Sequence, residues 1–227
     1  MMCNSLSNPK TQNTKTQNLA ENQKSKTKNL AEEITKLEWQ QFQLTQNEGG
    51  RANCQEDWQT FRIMRMSQFL VWPLNLQESY KQDLERANSN GENLITEKYA
   101  RMMESTAPEI FERTIKPYIK PILEPRKSEQ EQIILTQVKW ADDFRNRYPH
   151  LGFAMRVLKT SEDTEENTSF ETYLRGELST YSAETFAKYQ VFIEDLTAKN
   201  LNLTQMIITN TVCMYGHDSL ESAERTQ

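Results

Sequence analysis

"NEGGRANCQEDWQTFRIMRMSQF", residues 47–69, is the stretch whose reading decides the fold. It concentrates two of the chain's six glycines in one break and then runs to Phe69 with no further glycine and no proline. Glycine enters left-handed backbone conformations without steric cost, so Gly49-Gly50 reads as the end of one helix. Asn53, followed three residues later by Glu56, reads as the start of the next, over about 54–72. On the amino-terminal side, Leu30, Ala31, Ile34, Leu37, Trp39, Phe42 and Leu44 fill one broad arc of a helix over about 28–46.

The same start signal recurs along the chain, at Asn75/Glu78, Thr106/Glu109, Ser128/Glu131, Thr168/Glu171, Asn202/Gln205 and Asp218/Glu221. Stops fall at Pro73, Gly91, Pro149, Gly152 and Gly216. Runs of alternating β-branched residues are lacking. These features predict an all-α fold, a single helical domain of about eight helices spanning 28–227. Pro117, Pro121 and Pro125 mark an extended connection, and a subdomain break near 115–127 stays open as an alternative; "KTSEDTEENTS" (159–169) reads as an acidic solvated loop. Residues 1–27, rich in Asn, Gln, Thr, Lys and Ser, have almost nothing to bury and read as a disordered polar tail.

Composition narrows the function classes. The 227 residues are 36% hydrophobic and 26% charged, with a net charge of −5. That balance, with no basic stripe, argues against a sequence-independent nucleic-acid binder. Cys3, Cys54 and Cys213 are too widely spaced for a disulfide framework or a Cys-x-x-Cys knuckle. Neither a signal peptide nor a membrane span is apparent, so cytoplasmic residence is expected, with no membrane partner. Walker, dinucleotide-binding, nucleophile-elbow and His-Glu-x-x-His motifs are missing, as is the Glu-x-x-His of di-iron bundles.

The informative residues are polar ones on apolar arcs. Glu38 lies mid-arc in the first helix. In the second, Cys54, Trp58, Phe61, Met64, Phe69, Val71 and Trp72 gather on one side, yet Asp57, Arg65 and Gln68 project from that same side. Glu177 sits likewise among Phe170, Tyr173, Leu174, Leu178 and Tyr181. An unpartnered buried carboxylate is costly, so these groups are expected to meet one another. Two readings follow: ion pairs such as Asp57–Arg65 or Glu38–Arg51 that tie helices together, or a polar cavity where pKa values shift and substrates are held. In "LITEKYARMMEST" (94–106), Glu97, Arg101 and Glu104 form one stripe, either a solvated salt-bridged face or one wall of such a pocket.

Read together, residues 47–69, "LITEKYARMMESTAP" (94–108), "ETYLRGELSTYS" (171–182) and the closing "NTVCMYGHDSLESAE" (210–224) make the chain resemble an uncharacterised bacterial family, domain-of-unknown-function family 4125. The likeness runs from about residue 33 to the end. It supports Glu38, Trp39, Glu48, Arg51, Cys54, Gln55, Asp57, Arg65, Gln68 and Tyr99 as the positions to test, and implies no mechanism. Gln40 stands where that family usually carries an acid after the tryptophan.

The expected function is a small-molecule enzyme of specialised metabolism. Glu38, Asp57 and Glu48 are its catalytic acid/base groups, and Arg51, Gln55, Arg65, Gln68, Tyr99, Arg101 and Glu177 hold a small polar or charged metabolite. The cavity is expected between the helix pair joined by the glycine break and the helices of Glu97 and Glu177. No cofactor is predicted; a divalent metal on Glu38, Glu48, Asp57, Glu97 and His150 is the weaker alternative. The rival class is a non-catalytic helical module that binds a partner protein or senses a metabolite.

Overall fold

The computed structural model describes residues 9–46, 50, 51 and 53–226; among these there are eleven α-helices and no strand. The long ones are α1 (Pro9–Leu44), α2 (Trp58–Phe69), α3 (Leu74–Ser89), α4 (Leu94–Thr106), α6 (Glu124–Arg147), α8 (Phe170–Ser179), α9 (Ala183–Ala198) and α10 (Leu203–Met214). Single turns or little more make up α5 (Pro108–Ile110), α7 (Pro149–Phe153) and α11 (Leu220–Glu224).

Helix α1 reaches back to Pro9, so helical backbone occupies most of the polar segment expected as a tail. Once a helix is nucleated, each added residue gains a hydrogen bond at little further cost, and nothing in 9–27 breaks the run. Residues 21–26 of it are exposed. Past Leu30, α1 lies along α2 and α3, where the Arg62–Glu32 and Lys81–Glu33 pairs, both 2.8 Å, edge a contact formed by Ala31 and Ile34.

One main core draws on both sides of residues 115–127: Ile34 of α1, Met66 and Phe69 of α2, Leu76 and Tyr80 of α3, Ile134 of α6, Leu178 of α8 and Tyr189 of α9 are all fully or almost fully buried. A smaller cluster of Phe144, Leu151, Val212, Leu220 and Ala223 seals the carboxy-terminal turns. The chain is thus a single helical domain. Helix α8 lies unusually close to α4 because position 176 is glycine: a Cβ there would stand 2.9 Å from the Lys98 carbonyl oxygen and 2.9 Å from Met102 Cγ.

Several boundaries correct the sequence reading. Residues Asn53–Gln55 form a separate 3-10 turn, and α2 begins at Trp58 with Asp57 as its N-cap, accepting from the Thr60 N–H at 2.9 Å. The wheel that ran through 54–57 and 70–72 therefore mixed helical with non-helical positions. Met64 and Cys54 are exposed, and the buried residues of α2 are Ile63, Arg65, Met66, Ser67 and Phe69. Pro73 and Pro149 open α3 and α7 rather than only ending what precedes them, as suits a residue with fixed φ and no N–H to leave unpaired.

Candidate functional site

Five helices, α1, α2, α3, α4 and α8, meet around the polar residues of the apolar arcs. From α2, Arg65 donates through Nε to Glu38 Oε2 at 2.5 Å and through Nη2 to Glu38 Oε1 at 2.6 Å, a two-pronged pairing with α1. Its other side faces α8: Nη1 and Nη2 donate to the Glu177 carboxylate at 3.3 and 3.4 Å. Gln68 accepts from Arg65 Nη1 at 2.8 Å and donates to Glu177 Oε1 at 2.8 Å, closing a ring with it. Tyr80 donates to Glu38 Oε1 at 2.7 Å, and Tyr181 to Glu177 Oε1 at 3.2 Å. From α4, Lys98 Nζ stands 3.5 Å from Glu177 Oε2 and donates to the Tyr173 hydroxyl at 2.7 Å.

This network is charge-balanced and shut. Glu38, Arg65 and Glu177 keep 0%, 6% and 3% of their surface exposed. Burial alone would push the Glu177 carboxyl up, but Arg65 and Lys98 outweigh it and hold the group down at about 2. For the two cations burial works downward, and the neighbouring glutamates, with Tyr173, reverse it and raise both above their ordinary values. Burial and the charge of Glu38 raise the Tyr80 phenol, so it stays a donor. A carboxylate so strongly ionised, with its oxygens taken by Arg65, Gln68 and Tyr181, is a poor general base near neutral pH, where the effective range lies close to the operating pH.

The remaining sequence-predicted residues scatter. Asp57 is exposed at its cap position, against the expectation that it lines a core cavity; the Thr60 backbone bond lowers its pKa. Glu48 lies outside the described residues. Arg51 is exposed and pairs with Gln43 and the Gln55 carbonyl rather than with Glu38. Gln55 is buried and donates to the Phe42 and Thr45 carbonyls at 2.7 and 3.0 Å, which clasps the end of α1. Gly50, at φ +88°, supplies the left-handed turn. Tyr99 joins a half-buried aromatic cluster with Trp39, Phe42, Trp58 and Phe61, its ring 6.1 Å from that of Phe42. His150 is exposed at the start of α7, where its N–H donates to Glu224 at 2.8 Å. Among the described residues no three His, Cys, Asp or Glu side chains converge as metal ligands, and Glu38, Asp57, Glu97 and His150 stand apart from one another in their contacts.

These packed motifs, from the α1–α2 clasp to the α11 turn, carry the family resemblance. The chain belongs to the DUF4125 family. The match extends over residues 28–225, and the family is described as a protein of unknown function. No curated protein and no solved structure matches the chain.

Sequence reasoning missed the family member's open cavity. About 970 Å³ of space lies beside the far face of α8, between α4, the turn after α5, the 116–122 strap and the start of α6. Of the expected ligand-binding residues, Arg101 lines it, together with Glu104 from the same stripe. Arg101 donates to Glu97 through Nε and Nη2 at 2.9 and 2.7 Å, and Nη2 also reaches the Lys120 carbonyl at 2.8 Å, so it ties the strap to α4. On α8, Arg175 is fixed by Glu131 and Glu171, and its Nη1 donates to Thr160 at 3.0 Å; the bond to Glu131 is the main cause that raises its pKa. The α8 wall is hydroxyl-rich and charged, whereas the strap and Phe111 present Pro117, Ile119, Pro121 and Ile122.

Proposed function

We propose that the protein is a metabolite-binding helical domain whose ligand is a small amphipathic anion, seated in the cavity between α4, α6 and α8. The observation that carries this reading is a cavity that sets arginines held in place by carboxylates beside an apolar strap. The chain is net negative at −5, yet Arg101, Lys116, Lys120, Lys127 and Arg175 border one cavity. Each is held by a carboxylate: Arg101 by Glu97, Lys116 by Glu112, Lys120 by Glu92, Lys127 by Glu124, and Arg175 by Glu131 and Glu171. Arginines already oriented by neighbouring carboxylates suit a planar acid group, and the apolar strap suits the rest of the molecule.

The buried network has a supporting part in this reading. It fixes α8 through Glu177, and the residues that follow and precede Glu177 on the opposite face form the cavity wall. Carboxylate acid/base catalysis, as expected from the sequence, would draw on Glu104 and Glu131, which border the cavity, rather than on Glu38. Among the described residues no helix is long and apolar enough to cross a membrane. The test is ligand-observed NMR with hexanoate and with phenyl phosphate on the full chain. Saturation transfer to either probe that falls at least about fivefold in Arg101→Gln supports the reading; no transfer to either probe, or transfer unchanged in that variant, overturns it.

A further inference from the structure

Gln130 of α6 lines the cavity and is 97% buried, at 3% exposure. Its Nε2 donates to the Arg175 carbonyl at 2.8 Å and to Ser179 Oγ at 2.8 Å. A carbonyl only accepts, so these bonds fix which end of the amide faces α8. Ser179 Oγ itself donates to the Arg175 carbonyl at 2.7 Å, which leaves its lone pair for Gln130. The other end, Oε1, is buried with no hydrogen-bond partner. A buried acceptor left unpaired costs more than the bond would contribute, and proteins keep few of them.

We propose that Gln130 Oε1 is the specificity-determining acceptor of this cavity, so that the ligand carries a hydroxyl or amine donor in addition to its acid group: a hydroxy or amino acid with a short apolar chain. The inference rests on the ligand-binding reading of the same cavity. The cations bordering the cavity recognise the acid, the strap takes the chain, and Oε1 takes the donor. A site with a built acceptor rejects the analogue that lacks the donor, because binding that analogue leaves the acceptor desolvated and unpaired.

The experiment compares hexanoate with its 2-, 3- and 6-hydroxy derivatives by competition NMR on the full chain. At least one hydroxy isomer is expected to bind about tenfold more tightly than hexanoate, the scale of one buried hydrogen bond. Gln130→Met should abolish that ratio, while Gln130→Glu, which keeps an acceptor oxygen, should retain a preference for the hydroxy isomer. Because the readout is a ratio, general weakening by either variant cancels. Arg101-dependent hexanoate binding with no preference for any isomer overturns the role of Gln130 and leaves the cavity reading standing, as when water satisfies Oε1. A preference that survives Gln130→Met also overturns it. Binding of none of the probes overturns both.

Discussion

Arg65 holds two carboxylates, so its removal offers the sharpest test of the central network. Arg65→Met fills similar volume but leaves Glu38 and Glu177 facing one another with Lys98 alone to balance them. Breaking a buried pair from one side costs about 3–5 kcal/mol, because the surviving charge stays desolvated. With an m-value of about 2–3 kcal/mol/M, that corresponds to a fall of about 1–2.5 M in the urea midpoint. Glu38→Gln removes the opposite charge and leaves Arg65 in excess; its cost should be comparable, since the amide oxygen still accepts from Tyr80 and Arg65 Nη2 but the amide NH2 faces the Arg65 Nε–H. Combining the two restores neutrality, with Glu177 matched by Lys98. The double variant should therefore be less destabilised than the two single effects added, with a coupling of about 2–3 kcal/mol. Equilibrium urea unfolding followed by tryptophan fluorescence and circular dichroism reads all four proteins. Additivity within about 0.5 kcal/mol would refute the claim that the four charges act as one balanced unit.

Stability should also depend on acid. The folded pKa of Glu177, about 2, lies below its ordinary 4.5, so its contribution is complete above about 4.5 and is lost as pH falls toward 2. The drop is roughly 3 kcal/mol across that window and is flattened in Glu177→Gln, as urea midpoints measured between pH 6 and 2.5 will reveal. Gly176→Ala drives a methyl onto the Lys98 carbonyl oxygen and should cost about 1–3 kcal/mol while weakening hexanoate binding, because it forces α8 from α4; equal binding and stability would contradict the close approach. Asp57→Ala should lower the thermal midpoint through loss of the α2 cap yet leave hexanoate affinity unchanged, so an affinity loss would return Asp57 to the binding site.

The helical class was legible because its signals are local. Cap residues, glycine stops and a period near 3.6 act within one or two turns, and Asn202 caps α10 where the pattern placed it. The signals at Thr168 and Asp218 are displaced by one residue, to Ser169 and Ser219, because adjacent Ser, Thr and Asp side chains compete for the same role, whereas Ser128 falls inside α6 and Pro73 rather than Asn75 precedes α3. Glu38, Arg65, Gln68 and Glu177 were found by the cost of burying polarity, which a helical wheel registers without knowing the fold. Asp57 was misread because a cap lies outside the helix and a wheel drawn through it assigns a false direction. Lys98 carried a signal of the same kind, standing four residues from Leu94 and from Met102 on the buried face of α4, beside the more conspicuous charged stripe of Glu97, Arg101 and Glu104. The cavity had no local signature. It arises where the 116–122 strap passes α8, a relation between segments separated by some fifty residues in sequence, and only Arg101 and Glu104 hinted at it.

In the proposed function, recognition belongs to the α4–α6–α8 cavity and structural support to the buried network. A hexanoate titration followed by backbone-assigned heteronuclear NMR tests that division directly. Saturable shifts are expected at the amides of Arg101, Lys120, Gln130 and Gly176, with those of Glu38, Asp57 and Arg65 unmoved. Shifts concentrated at Glu38, Asp57 and Arg65, or no saturable shift anywhere, would contradict it.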